Sequence, residues 1–307
     1  MNSFPVTSYL SPRYWPTWAG LALLRLLSML PLPAIAVLGQ GLGMLAYCLI
    51  GSRRRIALRN ISVCFPEWTL AKCRMINRQH FRLVGQTLFT TPMNMWVSES
   101  RFDRLVEITG RQHYDAALAA GRNIILLAPH FIGIDVSGLA LSRERTIVSM
   151  YQYAKNALVD EISKRGRSRY GGLLIERKEP LRKVLRLISQ GDPLYYLPDQ
   201  DAGRKGIFVP FFHQQASTTP ALAKFAGAAQ AVIIPCRTRI KPRGQGYEVI
   251  LGEPLVDFPS GDDYTDTARM NQLIAAMIRN TPEQYFWVHK RFKTRPKDES
   301  APFYEFL

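Results

Sequence analysis

At 307 residues the chain suffices for one large domain or two modest ones, and 47% hydrophobic with 21% charged side chains is a core-forming composition that excludes a mostly disordered chain. The formal charge of +16 draws anions, whether nucleic acid, an anionic membrane or an acidic protein, and by itself selects none of them. The four cysteines, at 48, 64, 73 and 236, make no C-x-x-C pair and have no histidine at ligand spacing, so no zinc site, disulfide framework, metal or cofactor is expected and a reducing compartment is the simplest setting.

Leu26 to Ile50 is a 25-residue stretch without a charge. An unbroken helix of that length would rise roughly 37 Å, enough to cross a hydrocarbon core with tilt. Pro31 and Pro33 fall inside it, however, so two shorter helices inserted shallowly from one side compete with a spanning helix. A buried helical hairpin in a soluble core is the third reading. Trp15 and Trp18 suit a membrane interface, and Arg53-Arg54-Arg55 marks the flank as cytoplasmic. A cleaved signal peptide fits poorly, because the apolar region is long and the basic cluster follows it.

Residues 52–96 read as helical, with Ile56, Ile61, Ile76, Leu83 and Leu88 among the apolar positions and basic residues between them, and are expected to lie against lipid headgroups. Beyond residue 105 short apolar runs alternate with helical ones: IILLA (124–128), TIVSM (146–150), LLIE (173–176), LYYLP (194–198), AVIIPCR (231–237) and YEVILG (247–252). Gly121 and Gly191 stand where helices should end, each just before such a run. The alternation predicts an α/β fold with a central, mostly parallel sheet covered by helices. The organisation expected is a membrane-anchoring helix or helical hairpin over 1–51, an amphipathic helical region over 52–100 and an α/β catalytic domain over 101–307.

The run IILLA leads directly into Pro129-His130-Phe131-Ile132-Gly133-Ile134-Asp135. Ligands gather outside the carboxyl ends of strands in open sheets, which is where His130 falls. Five residues on a regular helix rotate about 140°, so His130 and Asp135 meet only if the histidine sits on the turn before the helix, with Gly133 letting the backbone fold back. An imidazole held by a carboxylate can take a proton from an alcohol. No Gly-x-Ser-x-Gly elbow lies near, which favours direct attack by an acceptor hydroxyl over a covalent intermediate.

Arg167, in KRGRSRYGG, offers a two-pronged guanidinium to a phosphate or a developing oxyanion, although with Lys164, Arg165 and Arg169 beside it a solvated helix face is the bland alternative. Arg177 can extend the same wall or pair with Glu176 or Glu179. Asp199 and Asp201 follow LYYLP, again at a strand end; without a third acid or a histidine they read as acceptors for sugar hydroxyls or as anchors for basic residues rather than as metal ligands. Arg169 and Lys205 complete the expected substrate-binding set. IFVPFF (207–212) is either a lining of an acyl-chain channel or an ordinary buried strand. Residues 155–186 hold ten Lys or Arg against four acids, a bias suited to an acidic carrier protein or anionic headgroups. No aromatic stacking platform accompanies it, so nucleic acid is not an expected partner.

APHFIGID resembles the His-x-x-x-x-Asp/Glu motif of the glycerolipid acyltransferase superfamily. RRRIALRNISVCFPE (53–67), IERKE (175–179), YYLPDQDAGRKGIFVPFF (195–212), TTPALAK (218–224) and PEQYFWVHKRFKTRP (282–296) are similar to the lipid A biosynthesis acyltransferase family of Gram-negative bacteria. The resemblance implies a glycerolipid-acyltransferase-like fold at the cytoplasmic face of the inner membrane. It also implies acyl carrier protein as donor, a lipid A precursor as acceptor, His130 as general base and Asp135, where many relatives carry Glu, as its orienter. Arg167 matches an arginine the family places near the reacting groups, and the strand end at Asp199 contributes to acceptor binding. Transfer to another glycerolipid or an amino-acid lipid, hydrolysis, and a non-catalytic basic module binding membranes or nucleic acid are the alternatives.

Overall fold

The structure is a computed structural model and describes residues 6–297, 299 and 302–305. Five helices come first: α1 (Trp15–Leu27), α2 (Leu32–Leu49), α3 (Gly51–Cys64), α4 (Leu70–Trp96) and α5 (Glu99–Leu105). Strand and helix then alternate through β1 (Val106–Thr109), α6 (Arg111–Ala119), β2 (Asn123–Leu127), α7 (Ile134–Ser142), β3 (Val148–Tyr151), α8 (Ala157–Arg167), β4 (Leu173–Glu176), α9 (Leu181–Ser189) and β5 (Leu194–Tyr196). A hairpin of β6 (Ile207–Phe211) and β7 (Gln214–Thr218) follows, then α10 (Ala221–Ala229), β8 (Ala231–Ile240), β9 (Tyr247–Leu251) and α11 (Asp263–Asn280).

Seven strands form one sheet in the order β1-β9-β8-β2-β5-β3-β4, parallel throughout except for the antiparallel β8–β9 pair. The expected α/β architecture is present, and all six apolar runs fall on strands. Alternate residues of β2 feed opposite layers: Ile125 and Leu127 join one core, Ile124, Leu126 and Ala128 the other. Burial on both faces is why this strand reads as an unbroken apolar run. Gly121 and Gly191, with φ of +64° and +89°, close α6 and α9 where a left-handed residue is needed. β1 and β7 were not anticipated, and of the two readings of IFVPFF the structure has the strand, β6, with Phe211 only 1% exposed.

The charge-free stretch takes in the last two residues of α1, a break and the whole of α2. α1 ends at Leu27, and Pro31, with φ −57° and ψ 143°, caps the start of α2. Among the described residues α2 is the one helix long and apolar enough to cross a membrane, with mean hydropathy 1.7. One of its faces is nonetheless buried against α4. The two run antiparallel and their backbones touch: a Cβ added to Gly43 would lie 2.1 Å from Phe81 O, and one added to Gly85 2.3 Å from Gly39 O. α3 puts Ile56, Ala57, Ile61 and Cys64 into the same core as Ile125 and Leu127, so these apolar positions serve packing and not the headgroups.

Gly43→Ala should cost about 1–3 kcal/mol by forcing the helices apart. Gly41→Ala, whose Cβ would meet nothing within 4 Å, should be neutral or slightly stabilising. Thermal melts of the two variants in detergent check this; equal melting temperatures would refute the close crossing.

Candidate active site

Parallel pairing brings the site together. Leu127 of β2 stands opposite Tyr196 of β5, and Ala128 N–H donates to Tyr196 O at 2.9 Å. Each strand then leaves through a proline, Pro129 or Pro198, so the third residue past the pair is His130 on one side and Asp199 on the other. His130 Nδ1 lies 2.7 Å from Asp199 Oδ1, and the His130 backbone N–H donates to Oδ2 at 2.9 Å. The side chain of buried Tyr285 interacts with the same carboxylate and helps hold its pKa down. Gln200 donates its side-chain amide to His130 Nε2 at 3.1 Å. The tautomer follows: Nδ1 carries the proton toward Asp199, and Nε2 keeps its lone pair.

Asp135 lies elsewhere. Its Oδ1 accepts from Arg167 Nε at 3.0 Å, and the carboxylate on the imidazole is Asp199. The turn does not fold back as expected, because it is pinned to the 282–287 segment. Phe286 N–H donates to His130 O at 2.9 Å, and Ile132 N–H donates to Gln284 O at 2.8 Å. Gly133 has an ordinary φ of −87°; a side chain there would strike Thr238, so the glycine supplies space and not backbone freedom. Asp135 sits in the first turn of α7 and Arg167 in the last turn of α8, each at the helix end its charge favours.

A cleft of about 420 Å³ gathers the carboxyl ends of β2, β3, β4 and β5. His130, Asp135, Arg167, Arg177 and Gln200 supply its polar part, and apolar side chains such as Leu139 and Leu174 supply the remainder. Arg177 is held by Gln152 Oε1 at 2.8 Å. Arg169 stacks on Tyr170 and Lys205 lies exposed in a 3-10 turn; neither lines this cleft. Asp201 accepts from Thr294 Oγ1 at 2.9 Å and its N–H donates to His289 Nε2 at 3.3 Å, so it ties the loop to the C-terminal segment. Among the described residues no cluster of His, Cys, Asp and Glu could hold a metal.

Burial alone pushes the His130 pKa down, but the charge and hydrogen bond of Asp199 outweigh it and the imidazole titrates above its ordinary value. Asp199 shows the mirror effect: burial pushes it up, His130 and the hydrogen bonds pull it down further, and it ends below the usual carboxylate range. Sequence reasoning missed Gln200 and Tyr285; buried His80 donates its Nδ1 to Glu283 O at 3.3 Å, next to the segment that pins the turn. One signal was available: Leu-Ala-Pro-His (127–130) and Tyr-Leu-Pro-Asp (196–199) repeat one pattern after two strands that prove to be in register.

Residues 5–294 match the family described as bacterial lipid A biosynthesis acyltransferase. The chain belongs to that family. Among curated relatives of this acyltransferase, a lipid A biosynthesis lauroyltransferase of Escherichia coli (strain K12) is 35% identical, covering 95% of each chain. A palmitoleoyltransferase of the same strain is 32% identical, over 95% of this chain and 96% of its own. A lipid A biosynthesis acyltransferase of Haemophilus influenzae is 33% identical, over 95% and 92%.

Replacing Asp199 with Asn leaves burial without the compensating charge. The His130 ring should then titrate below about 6.5 in the variant and above it in the parent protein. NMR titration of ring-labelled histidine checks the sign, and an unchanged midpoint would remove Asp199 from the pair.

Proposed function

We propose that this acyltransferase moves a fatty acyl chain from acyl carrier protein to the hydroxyl of a 3-hydroxyacyl group on a lipid A precursor, at the cytoplasmic face of the inner membrane. The observation that carries the mechanism is the 2.7 Å contact between His130 and Asp199, a base-orienter pair at the carboxyl end of a central strand. The acceptor hydroxyl displaces the Gln200 amide from Nε2 and gives up its proton there as its oxygen attacks the thioester carbonyl. Asp199 holds the tautomer and stabilises the imidazolium. Arg167, steadied by Asp135, faces the oxyanion that develops. Collapse of the tetrahedral species expels the carrier's thiolate, which takes the proton back from His130.

Arg177 serves as a contact for the anionic parts of the substrate within the cleft. Arg169 and Lys205, outside it, suit the acidic surface of a carrier protein, and Asp201 acts by holding the loop. Residues 1–51 attach the chain to the membrane, 52–100 form the helical support and 101–307 carry the chemistry. The attachment is by insertion along the surface. α2 buries Leu32, Ile35, Ala36, Gly39 and Gly43 against a helix that carries Lys72, Arg74, Arg78 and Arg82, so lipid cannot surround it. Its opposite face exposes Val37, Leu38, Leu45 and Leu49.

His130→Ala should lower transfer by about 10² to 10⁴-fold with membrane association intact, as expected for loss of a general base. Asp199→Asn should reduce kcat more than Asp135→Asn, since only Asp199 touches the imidazole. His130 works as the neutral base and titrates above 6.5, so kcat/KM should fall as pH drops through that raised value. Transfer assays with acyl carrier protein thioester and mass spectrometry of cellular lipids check these points. Near-normal turnover without His130 would sink the mechanism, and a changed phospholipid with unchanged lipid A would sink the acceptor.

A further inference from the structure

A second cleft, of about 480 Å³, shares no lining residue with the catalytic one. Its walls come from four places, one of them the segment after α11 with Thr281, Glu283 and Gln284. α4 contributes Gln79, Arg82 and Gln86, whose spacing puts them on one helical face. β8 and the turn after it contribute Arg239, Lys241 and Arg243, and α2 contributes Gln40. Glu283 is the sole acid lining it among the described residues.

The lining is rich in donors. Arg239 is matched by Glu248 and Lys241 by Glu107, but no carboxylate pairs with Arg82 or Arg243 among the described residues, and both are exposed. Gln86 is 2% exposed; its Oε1 accepts from Gln40 at 3.0 Å while its Nε2 has no partner. A buried amide donor without an acceptor is costly, and this one lies beneath the accessible surface of the cleft. Two free guanidiniums over a polar floor describe an anion bearing several acceptor oxygens.

The cleft's position selects the kind of anion. Gln40 follows Val37 and Leu38 on α2, which are 71% and 48% exposed on the most apolar helix of the chain. We propose that this cleft binds the phosphate headgroup of an anionic glycerophospholipid whose acyl chains lie along the exposed face of α2. Gln284 also lines the cleft, and its carbonyl accepts from Ile132 beside the catalytic turn, so headgroup binding braces the 282–287 segment. The inference goes beyond the catalytic reading and shares with it only the surface attachment of α2.

The test uses the full chain in neutral detergent, with melting temperature followed during titration by a short-chain phosphatidylglycerol, a short-chain phosphatidylcholine or inorganic phosphate. Phosphatidylglycerol alone should raise the melting temperature. The double variant Arg82→Gln/Arg243→Gln should weaken that response on the order of tenfold or more. Both arginines are exposed, so its melting temperature without lipid should equal that of the parent. His130→Ala should keep the full lipid response, and the double variant should keep full transfer in detergent lacking anionic lipid, which separates failure of this inference from failure of the mechanism. An equal response to phosphatidylcholine, an equal response in the double variant, or full stabilisation by inorganic phosphate would overturn the assignment.

Discussion

Asp199 is a charged carboxylate with 1% exposure, and an interior charge persists only where hydrogen bonds and an opposite charge replace the water it has lost. The bonds that meet this demand organise the site. His130 answers with its ring and its backbone N–H, and the side chain of Tyr285 adds to the stabilisation. Tyr285 belongs to the segment that also holds His130 O through Phe286 and Ile132 through Gln284. Arg291, itself buried, donates to Ser217 O at 2.6 Å and Thr218 Oγ1 at 2.6 Å next to the same loop. A requirement set by one carboxylate thus fixes a strand end, a turn and the C-terminal segment together.

The fold was legible because its governing signal is local. A strand buried on both faces must be apolar at every position, and each such run after residue 105 became a strand. β1 escaped because its sequence, VEIT, lies at the sheet edge and is nowhere fully buried. The 52–96 helices were recognised, but several of their apolar positions turn inward. Amphipathic spacing shows that a helix has an apolar face and says nothing about what covers it; here Ile56, Ile61 and Ile76 meet protein. The break at Pro31 was legible for the opposite reason, since a proline's effect on a helix is decided within a few residues.

The site was legible only in part, for a reason of distance along the chain. His130 and Asp135 are five residues apart and invite pairing, whereas His130 and Asp199 are separated by 69 residues and become neighbours only through strand register. Composition held no record of that register. The matching Pro-His and Pro-Asp endings did record it, and they became informative once β2 and β5 were known to be adjacent and parallel.

The division of the two carboxylates also accounts for a tolerance in the motif. The His-x-x-x-x-Asp/Glu pattern that APHFIGID resembles is written with either acid at its one acidic place. A carboxylate bonded to Arg167, which is 46% exposed at the end of a helix, can differ by one methylene because a long side chain takes up the change. The carboxylate against the imidazole has no such slack. Asp199 spans a ring nitrogen and a backbone N–H of one residue at 2.7 and 2.9 Å inside a packed core, and an added methylene would shift one bond or the other. The acid with slack is therefore the one at the cleft edge, and the acid in contact with His130 lies in the interior.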